Sequence, residues 1–179
     1  DSGFSQDDIS HFDIWTSRYF ETDIYILNDE NFYKLNDDFP EFVGQIHSSN
    51  YSGDVILTGG MGTNVPFFYG YINGRIFQSI NGGNSWSDRG DSPSDWYFTI
   101  NSFNSSNINL NDIYIGGMET FRSINGGSSW SLVNNWWDYY NNPESKLHAD
   151  IPEIRFFLDE EYNEIALIST DGGLYLSDD

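Results

Sequence analysis

Phe77-Gln78-Ser79-Ile80-Asn81-Gly82-Gly83-Asn84-Ser85-Trp86-Ser87 returns 44 residues later as Phe121-Arg122-Ser123-Ile124-Asn125-Gly126-Gly127-Ser128-Ser129-Trp130-Ser131, with nine of eleven positions identical. The chain closes on Tyr175-Leu176-Ser177-Asp178-Asp179, which reads as the start of a third copy. Self-similarity at this period signals an array of supersecondary units. Each full copy has an alternating apolar approach, an Asn-Gly-Gly turn and a Ser-Trp-Ser exit. Asn and Gly tolerate positive φ, so they suit a tight hairpin turn. The Ser and Asn side chains can bond backbone groups inside the turn. A Trp just past the turn can fold back over it and bury a large apolar surface.

Outward from the repeat, the chain reads as short strands. Residues 9–15, 23–27 and 32–36 are three of them, bounded by polar turns. The last aligns with the repeat: Phe32 with Phe77 and Phe121, Leu35 with Ile80 and Ile124, Asn36 with Asn81 and Asn125. Asp37-Asp38-Phe39-Pro40 then stands for a degenerate copy. A second unit starts near Glu41, with a strand over 54–60 and an insertion from Met61 to Asn73 that contains Pro66-Phe67-Phe68-Tyr69-Gly70-Tyr71. A third begins near Trp96–Ile100 and runs through 112–117 into the second full copy. A fourth takes His148–Phe157, Glu164–Gly173 and Leu174–Asp179. Asp23, Asp54, Asp112 and Glu164 recur at spacings of 31, 58 and 52 residues and are expected each to open a second strand. No 3.6-residue periodicity appears, so the pattern predicts an all-β repeat array. Its units are 9–40, 41–94, 95–147 and 148–179, the last truncated, all parts of one domain. The cut inside the third copy predicts that they belong to a longer chain.

Composition narrows the function classes. Seven Lys plus Arg oppose 28 Asp plus Glu, a formal net charge of −21. That opposes binding to a nucleic-acid backbone or an anionic membrane, both of which need positive charge. It leaves neutral glycans, cations and basic proteins as partners. Cys is absent, which excludes disulfides and thiol chemistry. No run of 18 apolar residues is present, so no membrane-inserted helix is expected. Aromatic residues make up 18% of the chain, which suits β-sheet.

The repeat resembles the Asp-box, or bacterial neuraminidase repeat, Ser/Thr-x-Asp/Asn-x-Gly-x-Ser/Thr-Trp. The matching residues are Ser79, Asn81, Gly83, Ser85 and Trp86, then Ser123, Asn125, Gly127, Ser129 and Trp130. Ser177 and Asp179 match the opening of a third box. Asn stands where the family more often has Asp. The resemblance, to sialidase-, xyloglucanase- and sortilin-like proteins, implies a β-propeller fragment of about four blade-like units. It implies that each box is a structural hairpin between a blade's third and fourth strands, away from the functional face.

The opposite face is then expected to carry three segments: Met61–Asn73, Asn134–Leu147 and Thr170-Asp171-Gly172-Gly173. Asn134–Leu147 is the most unusual, because Trp136, Trp137, Tyr139 and Tyr140 crowd around Asp138 on a polar connection. Flat rings can stack on the apolar faces of sugars, or pack on a neighbouring blade. They also suit a protein interface. His148-Ala149-Asp150 is expected to open an inner strand near the channel, in parallel with His11-Phe12-Asp13. One His and one Asp are too few for a metal site. Exported bacterial propellers that resemble this one often carry His-x-Asp here, and some show a second His where this chain has Pro152-Glu153. That departure counts against a metal.

No catalytic constellation stands out. A sialidase reading needs an arginine triad, yet Arg18, Arg75, Arg89, Arg122 and Arg155 lie in none of the family's Arg motifs, and Arg122, which replaces Gln78 in the repeat, is expected to face solvent. Glycoside hydrolysis needs two suitably spaced carboxylates, and with 28 acids their mere presence carries no weight. His11, His47 and His148 lack a Gly-x-Ser-x-Gly partner. No phosphate-binding Gly loop is present, no cofactor is expected, and a bound calcium ion is not indicated.

The expectation is therefore a secreted or cell-surface bacterial binding module for a glycan or protein, leaning away from an enzyme. Its Asn/Tyr/Asp-rich composition is similar to that of exported Bacteroidetes-type proteins, including type IX secretion cargo. The alternatives are a glycoside hydrolase of sialidase or xyloglucanase type with catalytic residues partly elsewhere, and a structural component of a larger surface or secretion assembly. The remainder of the same chain is expected to complete the propeller.

Overall fold

A computed structural model describes residues 11–17, 23–47, 54–94 and 102–177. The expected strand at Trp96–Ile100, Arg18, Asp178 and Asp179 lie outside the described residues. The chain falls into two compact units, residues 1–91 and 92–179.

Unit 1 holds two antiparallel four-stranded meanders. The first is β1 (Phe12–Thr16), β2 (Ile24–Asn28), β3 (Asn31–Asn36) and β4 (Phe39–Gln45). The second is β5 (Val55–Met61), β6 (Pro66–Ile72), β7 (Arg75–Ser79) and β8 (Ser87–Asp91). The β3–β4 turn falls on Asp37-Asp38, with Asp37 at φ 53°, so the degenerate copy is also a hairpin. The β6–β7 turn is Asn73-Gly74, both at positive φ (46° and 86°), as a two-residue hairpin of matching twist requires.

Unit 2 holds a four-stranded meander, β9 (Phe103–Ser105), β10 (Ile113–Ile115), β11 (Thr120–Ser123) and β12 (Ser131–Asn134). A three-stranded meander follows: β13 (Glu153–Leu158), β14 (Glu164–Thr170) and β15 (Gly173–Ser177). Both full repeat copies are hairpins between third and fourth strands, β7–β8 and β11–β12.

Several expectations shift. Phe39–Gln45 completes the first sheet, so that sheet runs past the boundary expected at residue 40. Met61–Asn73 is no insertion, because most of it is β6, a central strand paired on both sides. Phe67 to Ile72 are all buried, so the run has no alternation, and a fully buried strand cannot be told from other apolar runs by period alone. Asp54 therefore precedes a first strand. Asp23, Asp112 and Glu164 do stand at the start of second strands.

The repeat hairpin is built the same way twice. The Ser79 hydroxyl donates to Asn81 Oδ1 (3.0 Å) and accepts from the Gly83 N–H (2.9 Å), while Asn81 Oδ1 accepts the Ser85 N–H (3.0 Å). Ser123, Asn125, Gly127 and Ser129 repeat these bonds at 2.9, 2.8 and 2.9 Å. Asn supplies the acceptor that Asp would, and its Nδ2 donates to Ser85 Oγ (2.9 Å) or Ser129 Oγ (2.8 Å). Each hairpin also ties to its own sheet's first-to-second turn. The Gly82 N–H donates to the Pro66 carbonyl (3.1 Å), and the Gly126 N–H to that of Asn111 (2.9 Å). This puts residues 62–65 at the hairpin end of their sheet, not at the opposite end as expected.

Each unit has its own core, rich in aromatic rings in unit 1 and mainly isoleucine in unit 2. In unit 1, Phe68 lies 4.9 Å from Phe32 and 4.8 Å from Tyr25, ring centre to ring centre, and Trp86 meets Phe32 edge-on at 5.2 Å. The two sheets are also stitched by polar bonds: Asp13 Oδ2 accepts the Leu57 N–H (2.8 Å), and Trp15 Nε1–H donates to the Gly59 carbonyl (3.1 Å). In unit 2, Ile151, Ile154, Phe156 and Ile168 form the core. Asn104 Nδ2 donates to the Ile154 carbonyl (2.9 Å) across its two sheets.

Candidate functional site

In a meander, the second-to-third turn and the exit after the fourth strand share one end. In unit 2 that end gathers the β12 exit, the strap 142–152 and the β14–β15 turn.

The exit folds into a short 3-10 helix, Trp136–Asn141. Asn135 caps it, its side-chain oxygen accepting the Trp137 N–H at 3.0 Å. The Asn142 N–H closes it on the carbonyls of Asp138 (3.1 Å) and Tyr139 (3.0 Å). No residue of the helix is buried. Trp136 and Trp137 stack on each other, ring centres 3.8 Å apart and planes 28° apart. Tyr140 lies 6.1 Å from both. Trp137 and Tyr140 are each 61% exposed, and Trp136 is half-buried. Asp138 is exposed beside them.

Tyr139 meets the His148 ring edge-on at 4.7 Å and Tyr140 at 5.6 Å, and Tyr140 in turn lies 6.1 Å from His148. The Tyr175 hydroxyl, from β15, interacts with the Tyr139 and Thr170 side chains and the His148 backbone. Burial first, then Tyr139, pushes the Tyr175 phenol up from its ordinary value. A Cβ at Gly172 would fall 2.6 Å from His148 Cβ, so the β14–β15 turn lies flush on the strap. The sequence-predicted Trp136, Trp137, Asp138, Tyr139, Tyr140, His148 and Asp150, with the 170–173 turn, thus belong to one end of unit 2.

The strap itself is pinned to the β10–β11 turn. The Asp150 and Ile151 N–H groups donate to the carbonyls of Met118 (3.2 Å) and Gly117 (2.8 Å), and Asp150 sits at φ 62°. His148–Asp150 therefore precedes the inner strand, which starts only at Glu153. The expected parallel with residues 11–13 does not extend to structure. His11 is exposed and faces Asp29 at 3.5 Å, and Asp13 lies inside β1.

Asp150 interacts directly with Asp171. Burial, the Asp171 charge and a hydrogen bond to Asp171 push the Asp150 carboxyl up, with His148 partly opposing. Among the described residues no group of three or more His, Asp or Glu side chains forms that could hold a metal ion.

Arg122 does not simply face solvent. Its Nε and Nη2 donate to Asp112 at 3.0 and 2.7 Å, and its guanidinium lies 5.2 Å from the centre of the Tyr114 ring. Sequence reasoning missed this pair because Gln78, at the equivalent position, is buried and bonds Tyr69 and Arg89. The signal was Asp112 itself, ten residues earlier and directly before the adjacent strand β10.

No protein-family model and no curated protein matches the chain. Among solved structures it superimposes on YCF48 from Cyanidioschyzon merolae with a TM-score of 0.54 at 17% identity, covering 91% of this chain and 49% of that one. It superimposes on the GH74 enzyme of Niastella koreensis with a TM-score of 0.51 at 16% identity, covering 88% of this chain and 21% of that one. The chain thus spans about half the length of the first structure and a smaller part of the second. At such identities the likeness concerns the fold alone: the chain is all-β, with the meander sheets of a β-propeller.

Proposed function

We propose that the chain is a binding module, a set of propeller blades that contacts a glycan through the exposed rings on the 3-10 helix. One observation carries this reading: Trp137 and Tyr140 are each 61% exposed, although their helix is capped and its neighbour Tyr139 is anchored. Exposed apolar side chains that cluster, as these rings do, mark interaction sites where scattered single ones do not. Ring faces suit the apolar faces of pyranoses, and Asp138 can accept sugar hydroxyls beside them. The repeat hairpins, read as Asp-boxes, are staples at the other end of the sheets. The Cys-free, Lys-poor, acidic composition supports secretion or display on a bacterial surface, including by a type IX route. A glycan array probed with the wild-type chain and with Trp137→Ala and Tyr140→Ala tests the reading. Selective binding that both variants lose supports it. Binding that neither variant alters removes it.

A further inference from the structure

Asn-Gly occurs three times in the chain, as Asn73-Gly74, Asn81-Gly82 and Asn125-Gly126. The pair is chemically labile, because glycine has no side chain to shield its main-chain nitrogen from the amide carbon before it. We propose that Asn73 is a site of spontaneous covalent modification, where the folded chain converts an amide into an aspartyl or isoaspartyl residue, and that Asn81 and Asn125 are held against the same reaction.

The reaction needs water and no other co-reactant. The Gly74 nitrogen attacks Asn73 Cγ, and a C–N bond forms. The Cγ–Nδ2 bond breaks, and Nδ2 leaves as ammonia with the proton that the Gly74 nitrogen gives up. The five-membered succinimide then adds water. Opening at Cγ yields aspartate. Opening at the main-chain carbonyl yields isoaspartate, whose main chain is one atom longer. Nothing is oxidised or reduced.

All three asparagines are exposed, so access of water does not distinguish them. Hydrogen bonding does. In the first full repeat copy the leaving group, Asn81 Nδ2, donates to Ser85 Oγ (2.9 Å), and Oδ1 accepts from the Ser79 hydroxyl and the Ser85 N–H, both at 3.0 Å. The nucleophile, the Gly82 N–H, donates to the Pro66 carbonyl at 3.1 Å. The second copy holds Asn125 in the same way, with Gly126 N–H on the Asn111 carbonyl at 2.9 Å. Ring closure at either place breaks the bond on the nucleophile and pulls the amide out of its own bonds. The Asn73 main-chain N–H donates to the Asp54 carbonyl (3.0 Å), but among the described residues no hydrogen bond holds the Asn73 side chain or the Gly74 N–H. Asn73-Gly74 also joins the directly paired Ile72 and Arg75, so the extra main-chain atom of isoaspartate falls in a loop of two residues between β6 and β7.

The test incubates the folded chain, and the same chain unfolded in guanidinium chloride, at mildly alkaline pH in ¹⁸O-enriched water. Peptide mapping by mass spectrometry locates each new acid and its heavy oxygen, and isoaspartyl methyltransferase labelling identifies isoaspartate. In the folded chain Asn73 should convert about tenfold or more faster than Asn81 and Asn125, the factor that one or two hydrogen bonds correspond to. In guanidinium chloride the three rates should converge. Ser129→Ala, which removes the acceptor of Asn125 Nδ2, should speed Asn125 and leave Asn73 unchanged. The proposal is overturned if Asn73 converts no faster than the other two in the folded chain. It also fails if Asn73 keeps its lead in guanidinium chloride, where its sequence neighbours and not the fold would set the rate.

Discussion

Gly83 lies with its backbone against the ring of Phe32: a Cβ added there would fall 2.0 Å from Phe32 Cε1. The glycine also sits at φ 90°. Gly83→Ala therefore meets two costs, left-handed backbone for a residue with a Cβ and an overpacked aromatic core. Together they should destabilise unit 1 by about 2–4 kcal/mol. Gly90 separates the two contributions, since it has φ 95° and a Cβ added there would meet nothing within 4 Å. Gly90→Ala should cost only about 1–2 kcal/mol. Urea unfolding of both variants checks this, and equal losses would contradict the packing contribution.

The two hairpin tryptophans differ in one bond. Trp86 Nε1–H donates to the Gly83 carbonyl at 3.0 Å, whereas Trp130 Nε1 is buried with no hydrogen-bond partner among the described residues. Removing a satisfied donor strands the carbonyl, but removing an unsatisfied one removes a desolvation cost. Trp86→Phe should lose about 1–3 kcal/mol from the carbonyl and the lost ring area, and Trp130→Phe should be close to neutral. Thermal melts of the two variants give the comparison, and a larger loss at Trp130 would overturn it.

These hairpins were the most legible part of the sequence, because their fold is decided within eight residues. Ser79, Asn81, Gly83 and Ser85 satisfy one another and need nothing distant. β6 was hidden for the opposite reason: it is buried on both faces, so Phe67 to Ile72 lack the alternation that marks a half-exposed strand. The crowding of Trp136, Trp137, Tyr139 and Tyr140 was visible as composition. That Tyr139 and Tyr140 both meet the His148 ring depends on where the strap arrives, and that is not local. The Arg122–Asp112 pair needed the β10–β11 register, which places Arg122 opposite Tyr114.

The Asp150–Asp171 contact makes stability depend on pH in a defined direction. Burial and Asp171 raise the Asp150 carboxyl, so the folded state binds that proton more tightly than the unfolded state does. Its favourable contribution is complete below the unfolded value of about 3.9 and is lost as pH rises through the folded value. The charge of Asp171 is one cause of that rise, so it disfavours ionisation of Asp150. Asp171→Asn removes the charge and keeps a side chain able to donate to Asp150. It should raise the unfolding midpoint at neutral pH, and the gain should shrink as the pH falls towards that of a free carboxyl. A pH series of thermal melts decides it, since a variant less stable than wild type at neutral pH would refute the account.

Asn135 caps the helix that carries the exposed rings. Its side chain accepts the Trp137 N–H at 3.0 Å, and no residue of the helix it caps is buried. Asn135→Ala should therefore cost about 0.5–2 kcal/mol of local helix order and leave global unfolding nearly unchanged. Its signature should be optical: the stacked Trp136–Trp137 pair gives an exciton couplet in circular dichroism, which the variant should weaken. Asn135→Asp, which keeps the acceptor, should preserve the couplet. Loss of the couplet in both variants would show that the cap does not hold the stack. A large fall in global stability would show that the helix is part of the core after all.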